Sequence, residues 1–439
     1  MQTLFPEYEV NAVTWACLSA LLIVSVYFRF GRPFSSRNLD LLLLLSLSPG
    51  IVLARGDTPI VGYVWLLIAT GLLAARALYD PWQKWRPQFD QNMTESGMLF
   101  LAVAALAFLG VRAITDPLPE AAERTIEAAE KVVGREAAAA TAADPVVKTE
   151  NAERELQAGA GVVTATAAMM RLFDTNAART LAVLSHLAVV AGMVWAGRRL
   201  FNVPKAGVAM GMLYVLLPPT VFDVAAVQHV LPAALVTWAF VLHRTPLAAG
   251  VLLGFAGATQ VFPLFLLPVW VSFYGRAGAK RFVLGVLLGL AVAVGSLAFV
   301  SRDVDAFFAL ALGSFNPYWE ALNTEQSGGL WGYGPTWSLY RLPVIVAYGV
   351  LVVFFAFSPR PKSSEMLLAQ SVVLILATQF WVPHRGGLLI QWYLPLLLLM
   401  MFRPRLPDPF VVEEPSATVR AATPQPPVRG GTVATGKLR

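Results

Sequence analysis

The chain has 439 residues, of which 57% are hydrophobic and only 14% charged, with a formal net charge of +6. A soluble domain carries about a quarter charged residues, and a mean hydropathy of +0.62 excludes one. Apolar runs of about 16 to 22 residues without strict alternation exclude a closed barrel and leave an all-α, polytopic transmembrane helix bundle, because a spanning backbone must satisfy its own hydrogen bonds.

In chain order, the first ten residues carry Glu7 and Glu9 in place of a basic stretch, so no cleavable signal is expected. Spans are predicted at 11–30, 39–54, 60–78, 97–115, 178–197, 206–222, 229–242, 246–260, 262–274, 282–300, 341–357, 365–382 and 387–402. The pair 246–260 and 262–274 is short and meets at Gln260-Val261-Phe262-Pro263. A helical hairpin reaching only the outer interface fits it equally, so the count is about 11 to 13 spans. Cys17 is the single cysteine, which precludes an intramolecular disulfide.

Basic residues mark alternate connections: Arg29/Arg32/Arg37, Arg76/Lys84/Arg86, Arg198/Arg199/Lys205, His243/Arg244, Arg276/Lys280/Arg281, Arg360/Lys362 and Arg403/Arg405. Short basic connections stay cytoplasmic, which puts the N-terminus outside and the C-terminus inside. The alanine-rich, cysteine-poor composition points to a bacterial inner membrane. Segment 79–86 mixes indole and cation as an interface anchor does, and no nucleic-acid patch is expected. Three parts follow: N-terminal helices 1–96, a core 97–403, and a disordered cytoplasmic tail 404–439 rich in Pro, Thr and Gly.

The core contains two long external connections. In 116–177, ten acidic and five basic residues lie between Asp116 and Gln157. Leu118, Ala122, Ile126, Ala129 and Val133 recur at helical spacing opposite Glu120, Glu123, Glu127 and Glu130, which predicts an amphipathic helix. A flexible join is expected over 137–147. The second connection, 301–340, is rich in Trp, Tyr and Gly. Its aromatics, Trp319, Trp331, Tyr333, Trp337 and Tyr340, suit an interfacial belt and also the face of a sugar ring.

Soluble-enzyme signatures are absent: no GxxxxGK[ST], HExxH, CxxC or GxSxG. Four His and one Cys do not favour a zinc site. What remains are polar residues at the outer ends of helices, which are costly there unless paired or facing a cavity. Asp223 with Gln228-His229 follows Leu217-Pro218-Pro219; a plain polar turn between helices would also explain it. Arg385, in Trp381-Val-Pro-His384-Arg385-Gly-Gly387, is a cation on the side where cations are otherwise scarce. A lipid headgroup or a donor phosphate would each answer it.

These residues, taken in order, resemble the core pattern of GT-C fold, polyprenyl-phosphate-sugar-dependent glycosyltransferases, in particular glycosyltransferase family 87. The likeness runs through Leu217-Pro218-Pro219, Gln228-His229, Ala249-Gly250-Val-Leu-Leu-Gly254 and Val261-Phe262-Pro263, then Asn323-Thr-Glu-Gln326-Ser327 followed by Arg341, over roughly residues 175–400. Gln260 stands where the family has a Lys. The family's acidic residue follows the first core helix, and its counterpart here, Asp116, follows the fourth predicted span behind three additional helices.

The resemblance implies transfer of a sugar from a polyprenyl-phosphate donor to an acceptor on the non-cytoplasmic face, with inversion and without a further cofactor; use of a divalent metal stays open. Asp116 and Asp223 are the expected catalytic bases, with Asp174 and Glu325 also eligible. Gln228, His229, Gln260, Arg341, His384 and Arg385 are the expected substrate-binding set, with membrane lipids and the lipid-linked sugar as partners. Two rivals stand beside this reading: a catalytically degenerate relative acting as a binding or assembly partner, and then a transporter. Transport fits less well because no internal repeat is visible and His186 is the main ionisable residue within a span.

Overall fold

The computed structural model describes residues 12–83, 90–133, 159–298, 329–333, 337–359, 361–382 and 385–406. All lie in the compact unit Met1–Leu406. Among them there are helices and turns and no strand.

The N-terminal part forms α1 (Ala12–Tyr27), α2 (Ser36–Leu45), α3 (Leu47–Ala54) and α4 (Pro59–Tyr79), then α5 (Glu95–Thr115). The Ser35 side chain caps α2 by accepting from the Asn38 N–H, and Thr94 caps α5 by accepting from the Gly97 N–H. Close beyond follow α6 (Glu120–Val133), α7 (Ala160–Phe173), α8 (Ala177–Trp195), α9 (Pro204–Leu216) and the short α10 (Pro218–Phe222). The last helices are α11 (Val227–Val241), α12 (Pro246–Thr259), α13 (Leu267–Ala298), α14 (Trp337–Phe357), α15 (Ser364–Thr378) and α16 (Leu394–Phe402). Proline at the first helical turn recurs in α4, α9, α10, α12 and α16, where its missing N–H costs nothing.

Among the described residues six helical stretches are long and apolar enough to cross a membrane: Ser36–Ala54, Pro59–Trp82, Glu95–Thr115, Ala177–Leu200, Phe262–Leu297 and Leu339–Phe357. Six shorter apolar helices pack among them. Span 262–274 and, as far as Ala298, span 282–300 of the sequence reading fall in one helical stretch broken at Gly275, whose φ of 54° and ψ of −155° suit glycine alone. Helix α6 occupies the amphipathic segment, with Ala122, Thr125 and Ala129 buried. Helix α7 was read as part of an external connection, yet Ala160, Val162, Val163, Thr166 and Met170 are buried. The join at 137–147, most of 301–340 and the tail beyond Leu406 lie outside the described residues.

Helices α12 and α13 cross closely through glycine. A Cβ on Gly250 would lie 2.2 Å from the Phe282 carbonyl oxygen, one on Gly254 2.2 Å from that of Val286, and one on Gly285 2.3 Å from that of Leu247. Small residues permit this backbone approach, and dispersion then holds the pair. The contacts advance together along both chains, so α12 runs parallel to the part of α13 beyond Gly275.

The two ends of the bundle hold different charge clusters. At one end Arg76 donates to both Asp40 oxygens (2.8 and 3.0 Å) and to Asp80 (3.2 Å). Arg403 reaches Asp80 at 2.5 Å and also pairs with Glu365. Both members of the Asp80–Arg403 pair are fully buried. Arg76 and Arg403, expected as orientation signals, are thus interior partners of carboxylates. The opposite end carries the cluster described next.

Candidate functional site

Three connections meet around Asp223. Leu217 to Val227 is a tight double turn in which α10 is one turn long and Thr220 donates to the Tyr214 carbonyl at 2.6 Å. It delivers Asp223 partly buried, with 17% of its side chain exposed. Arg55, at the end of α3, places Nη2 2.6 Å from Asp223 Oδ1 and Nη1 3.3 Å from the Phe222 carbonyl. The Arg385 Nη2 lies 3.9 Å from the same Oδ1. Burial pushes the Asp223 carboxyl up, but Arg55 and then Arg385 outweigh it and hold the group below the usual carboxylate range. Arg385 has a φ of 54°, uncommon for a residue with a side chain and of a kind that clusters at functional sites.

Beneath this ion group lies a layer of amides and rings. The Trp392 indole N–H donates to His229 Nδ1 at 3.2 Å, and Phe262 stacks on Trp392 with ring centres 4.5 Å apart. His186 lies 2.8 Å from the Tyr214 hydroxyl and 3.2 Å from the Val224 carbonyl. Tyr214 is also 3.2 Å from Gln391 Oε1, whose amide nitrogen donates to the Pro219 carbonyl at 2.9 Å. These bonds hold the turn carrying Asp223 against α8, α9 and the segment before α16. His186 is therefore a bonded interior imidazole.

Gln228 departs from this pattern. It is wholly buried, and neither its side-chain oxygen nor its nitrogen has a hydrogen-bond partner among the described residues. An unmet buried polar group costs roughly 1–3 kcal/mol. Gln228 adjoins His229 at the start of α11, five positions beyond Asp223, and an unmet buried polar group of this kind calls for an explanation.

The other expected residues fall in several places. Gln260 ends α12, fully buried, two residues before the Phe262 that stacks on Trp392. The turn is held by α7: the Gly159 N–H donates to the Thr259 carbonyl at 3.0 Å, and a Cβ on Gly159 would come 2.3 Å from the Ala258 oxygen. Arg341 is buried near the start of α14 and is not among the partners of Asp223. Asp174 is exposed at the end of α7 with a φ of 51°.

Asp116 stands apart. Its carboxylate takes Arg112 at 2.6 Å, and its carbonyl accepts from Arg179 at 2.7 Å. The Asp116 turn meets α8 at Arg179 and the Asp223 turn meets it at His186, so the two sites are separated by about two helical turns, roughly 10 Å along the axis. His384 and Glu325, with the whole segment Asn323 to Ser327, lie outside the described residues. Trp331 donates its indole N–H to the Phe380 carbonyl at 3.2 Å, whereas Tyr333 and Tyr340 are exposed.

Arg55 was missed by sequence reasoning, although a signal existed. It is a cation in a connection between two basic ones, the anomaly that singled out Arg385. Among the described residues no three His, Cys, Asp or Glu side chains form a group able to hold a metal.

Fold and site together define an α-helical bundle of membrane type with an arginine–aspartate cluster at one end. No protein-family model, no curated protein and no solved structure matches the chain.

Proposed function

We propose that this chain is an integral membrane glycosyltransferase that moves a sugar from a polyprenyl-phosphate donor to an acceptor at the face bearing Asp223, which is non-cytoplasmic. The observation that carries the reading is the meeting of Arg55, Asp223 and Arg385, with the buried Gln228 five positions beyond Asp223 in the chain. Among the described residues two guanidiniums meet one carboxylate, and guanidinium is the group that binds phosphate by paired hydrogen bonds.

In this reading Asp223 takes the proton of the acceptor hydroxyl as that oxygen bonds to the anomeric carbon. The bond from that carbon to the phosphate oxygen breaks, and Arg385 and Arg55 hold the charge that develops on the departing phosphate. Gln228 and His229 meet sugar hydroxyls, and Gln260 supplies a neutral donor. A carboxylate held by two guanidiniums is a weak base. A phosphate arriving at the same guanidiniums competes with Asp223 for them, so base strength rises when the donor is bound. Asp116, already clamped by Arg112, serves to anchor the end of α5.

The test is transfer by the purified chain in nanodiscs from radiolabelled polyprenyl-phosphate mannose, glucose or arabinose to membrane lipid extract. Asp223→Asn is expected to lose at least about a hundredfold in rate, and Asp116→Asn to keep most of it. Folded protein that transfers none of the three sugars defeats the enzyme reading and leaves the non-catalytic binding partner, which the neutral Gln260 favours.

A further inference from the structure

At the end of the bundle opposite Asp223, four cations meet at the rim of an apolar helix face. Between Asp223 and Asp303 the chain has no acidic residue. Arg244 lies in the connection from α11 to α12, and Arg276, Lys280 and Arg281 follow the break at Gly275 in α13. All four are exposed, and none of their side chains makes an ion pair or hydrogen bond among the described residues. Arg76 and Arg403, at the same end, are by contrast taken up by Asp40, Asp80 and Glu365.

The two connections are packed together. The Tyr274 hydroxyl donates to the His243 carbonyl at 2.7 Å, and a Cβ on Gly278 would lie 3.3 Å from the Pro246 ring. Arg244 is therefore held beside the first turn past Gly275. His243 also lies 3.0 Å from the Ser364 hydroxyl, which fixes this corner against the start of α15. Glu365, the next residue there, is already paired with Arg403.

Below the cations the surface turns apolar. Arg276, Lys280, Leu284 and Leu288 recur every four residues of α13 and so share one face. Leu247 of α12 adjoins it, since a Cβ on Gly285 would lie 2.3 Å from the Leu247 carbonyl oxygen. Leu247, Leu284 and Leu288 are exposed. The stretch Phe262–Leu297 is long and apolar enough to cross a membrane, so this face meets acyl chains and the cations stand at the level of the head groups. Helical Cα–Cβ bonds tilt toward the helix N-terminus, which directs Lys280 and Arg281 away from the leucines and toward those head groups.

We propose that this rim binds an anionic phospholipid carrying two phosphodiester groups, its phosphates on the four cations and its acyl chains along Leu247, Leu284 and Leu288. Charge sets the occupant. A zwitterionic lipid brings no net charge and a lipid with one phosphodiester answers a single cation, whereas two phosphodiesters can each take a pair. The site is independent of the Asp223 cluster and does not rest on its assignment.

The experiment is native mass spectrometry of the delipidated full chain in detergent with tetraoleoyl diphosphatidylglycerol, dioleoylphosphatidylglycerol and dioleoylphosphatidylcholine. One diphosphatidylglycerol per chain is expected, held at least about tenfold more tightly than either single-phosphate lipid. Lys280→Gln combined with Arg281→Gln should weaken it about tenfold or more, with thermal melting unchanged because both side chains are exposed. Arg198→Gln combined with Arg199→Gln, exposed cations of a different connection, should keep the affinity. Equal binding of all three lipids overturns the proposal, and so does phosphatidylglycerol held as tightly as diphosphatidylglycerol. Undiminished affinity in the folded Lys280/Arg281 variant sinks it too, as does an equal loss in the Arg198/Arg199 variant, which would mark a general surface charge in place of a site.

Discussion

Arg55 and Asp223 are 168 positions apart, yet their contact decides the state of the carboxylate. Asp223 has a folded pKa below its ordinary value, so its contribution to stability is present above that ordinary value and is lost as pH falls through the lower folded one. Removing Arg55 leaves burial opposed only by Arg385 and His229, so the balance moves in the opposite direction. Arg55→Ala is therefore expected to lose thermal stability at a higher pH than the unaltered chain on acidification, by roughly 1 kcal/mol because Arg55 stays about a third exposed. Arg55→Lys should restore part of it. Melting curves in detergent between about pH 3 and pH 7 check this; superimposable pH dependences would remove Arg55 from the account. Asp223 and Arg385 were legible in the sequence as polar residues at costly positions. Gln228 was legible too, but its lack of partners became visible only once every neighbour was in place.

At the scale of the element, the glycines of Ala249-Gly250-Val-Leu-Leu-Gly254 earn their place in packing. Each faces a backbone carbonyl of α13 at a distance no Cβ tolerates. Gly250→Ala should cost about 1–3 kcal/mol by overpacking. Gly295→Ala, on α13 with nothing within 4 Å of the added carbon, should be neutral or slightly stabilising. Thermal melting of the two variants side by side tests the crossing; equal effects would disprove it. Helix periodicity exposed α6 in the sequence because its two faces differ strongly. It did not expose α7, whose fourteen residues are apolar on most sides and too short to span, and whose role is to buttress the turn of Gln260.

At the scale of the whole molecule, the Asp40–Arg76–Asp80–Arg403–Glu365 chain ties the N-terminal helices to the start of α15 and the end of α16. Breaking one member leaves a buried charge uncompensated. Arg403→Met is expected to cost about 3–5 kcal/mol, and adding Asp80→Asn with Glu365→Gln to recover much of it. A triple variant no more stable than the single one would show that the network is not one unit. The helices preceding residue 97 are thus joined to the remainder at both ends, through Arg403 at one and through Arg55 at the other. They form part of the same folding unit and supply a residue of the candidate site.

Composition and run length alone determined the helical membrane class, since apolar side chains and an internally bonded backbone are local properties that any reading of the chain can sum. Which polar residues meet was decided only in three dimensions. Asp80 and Arg403 are 323 positions apart and His229 and Trp392 are 163, and no local pattern records such a pairing. A charge at a helix end reads the same whether it faces lipid headgroups, water or a carboxylate; packing chooses among these, and that choice made Arg76 and Arg403 interior partners and brought Arg55 to Asp223.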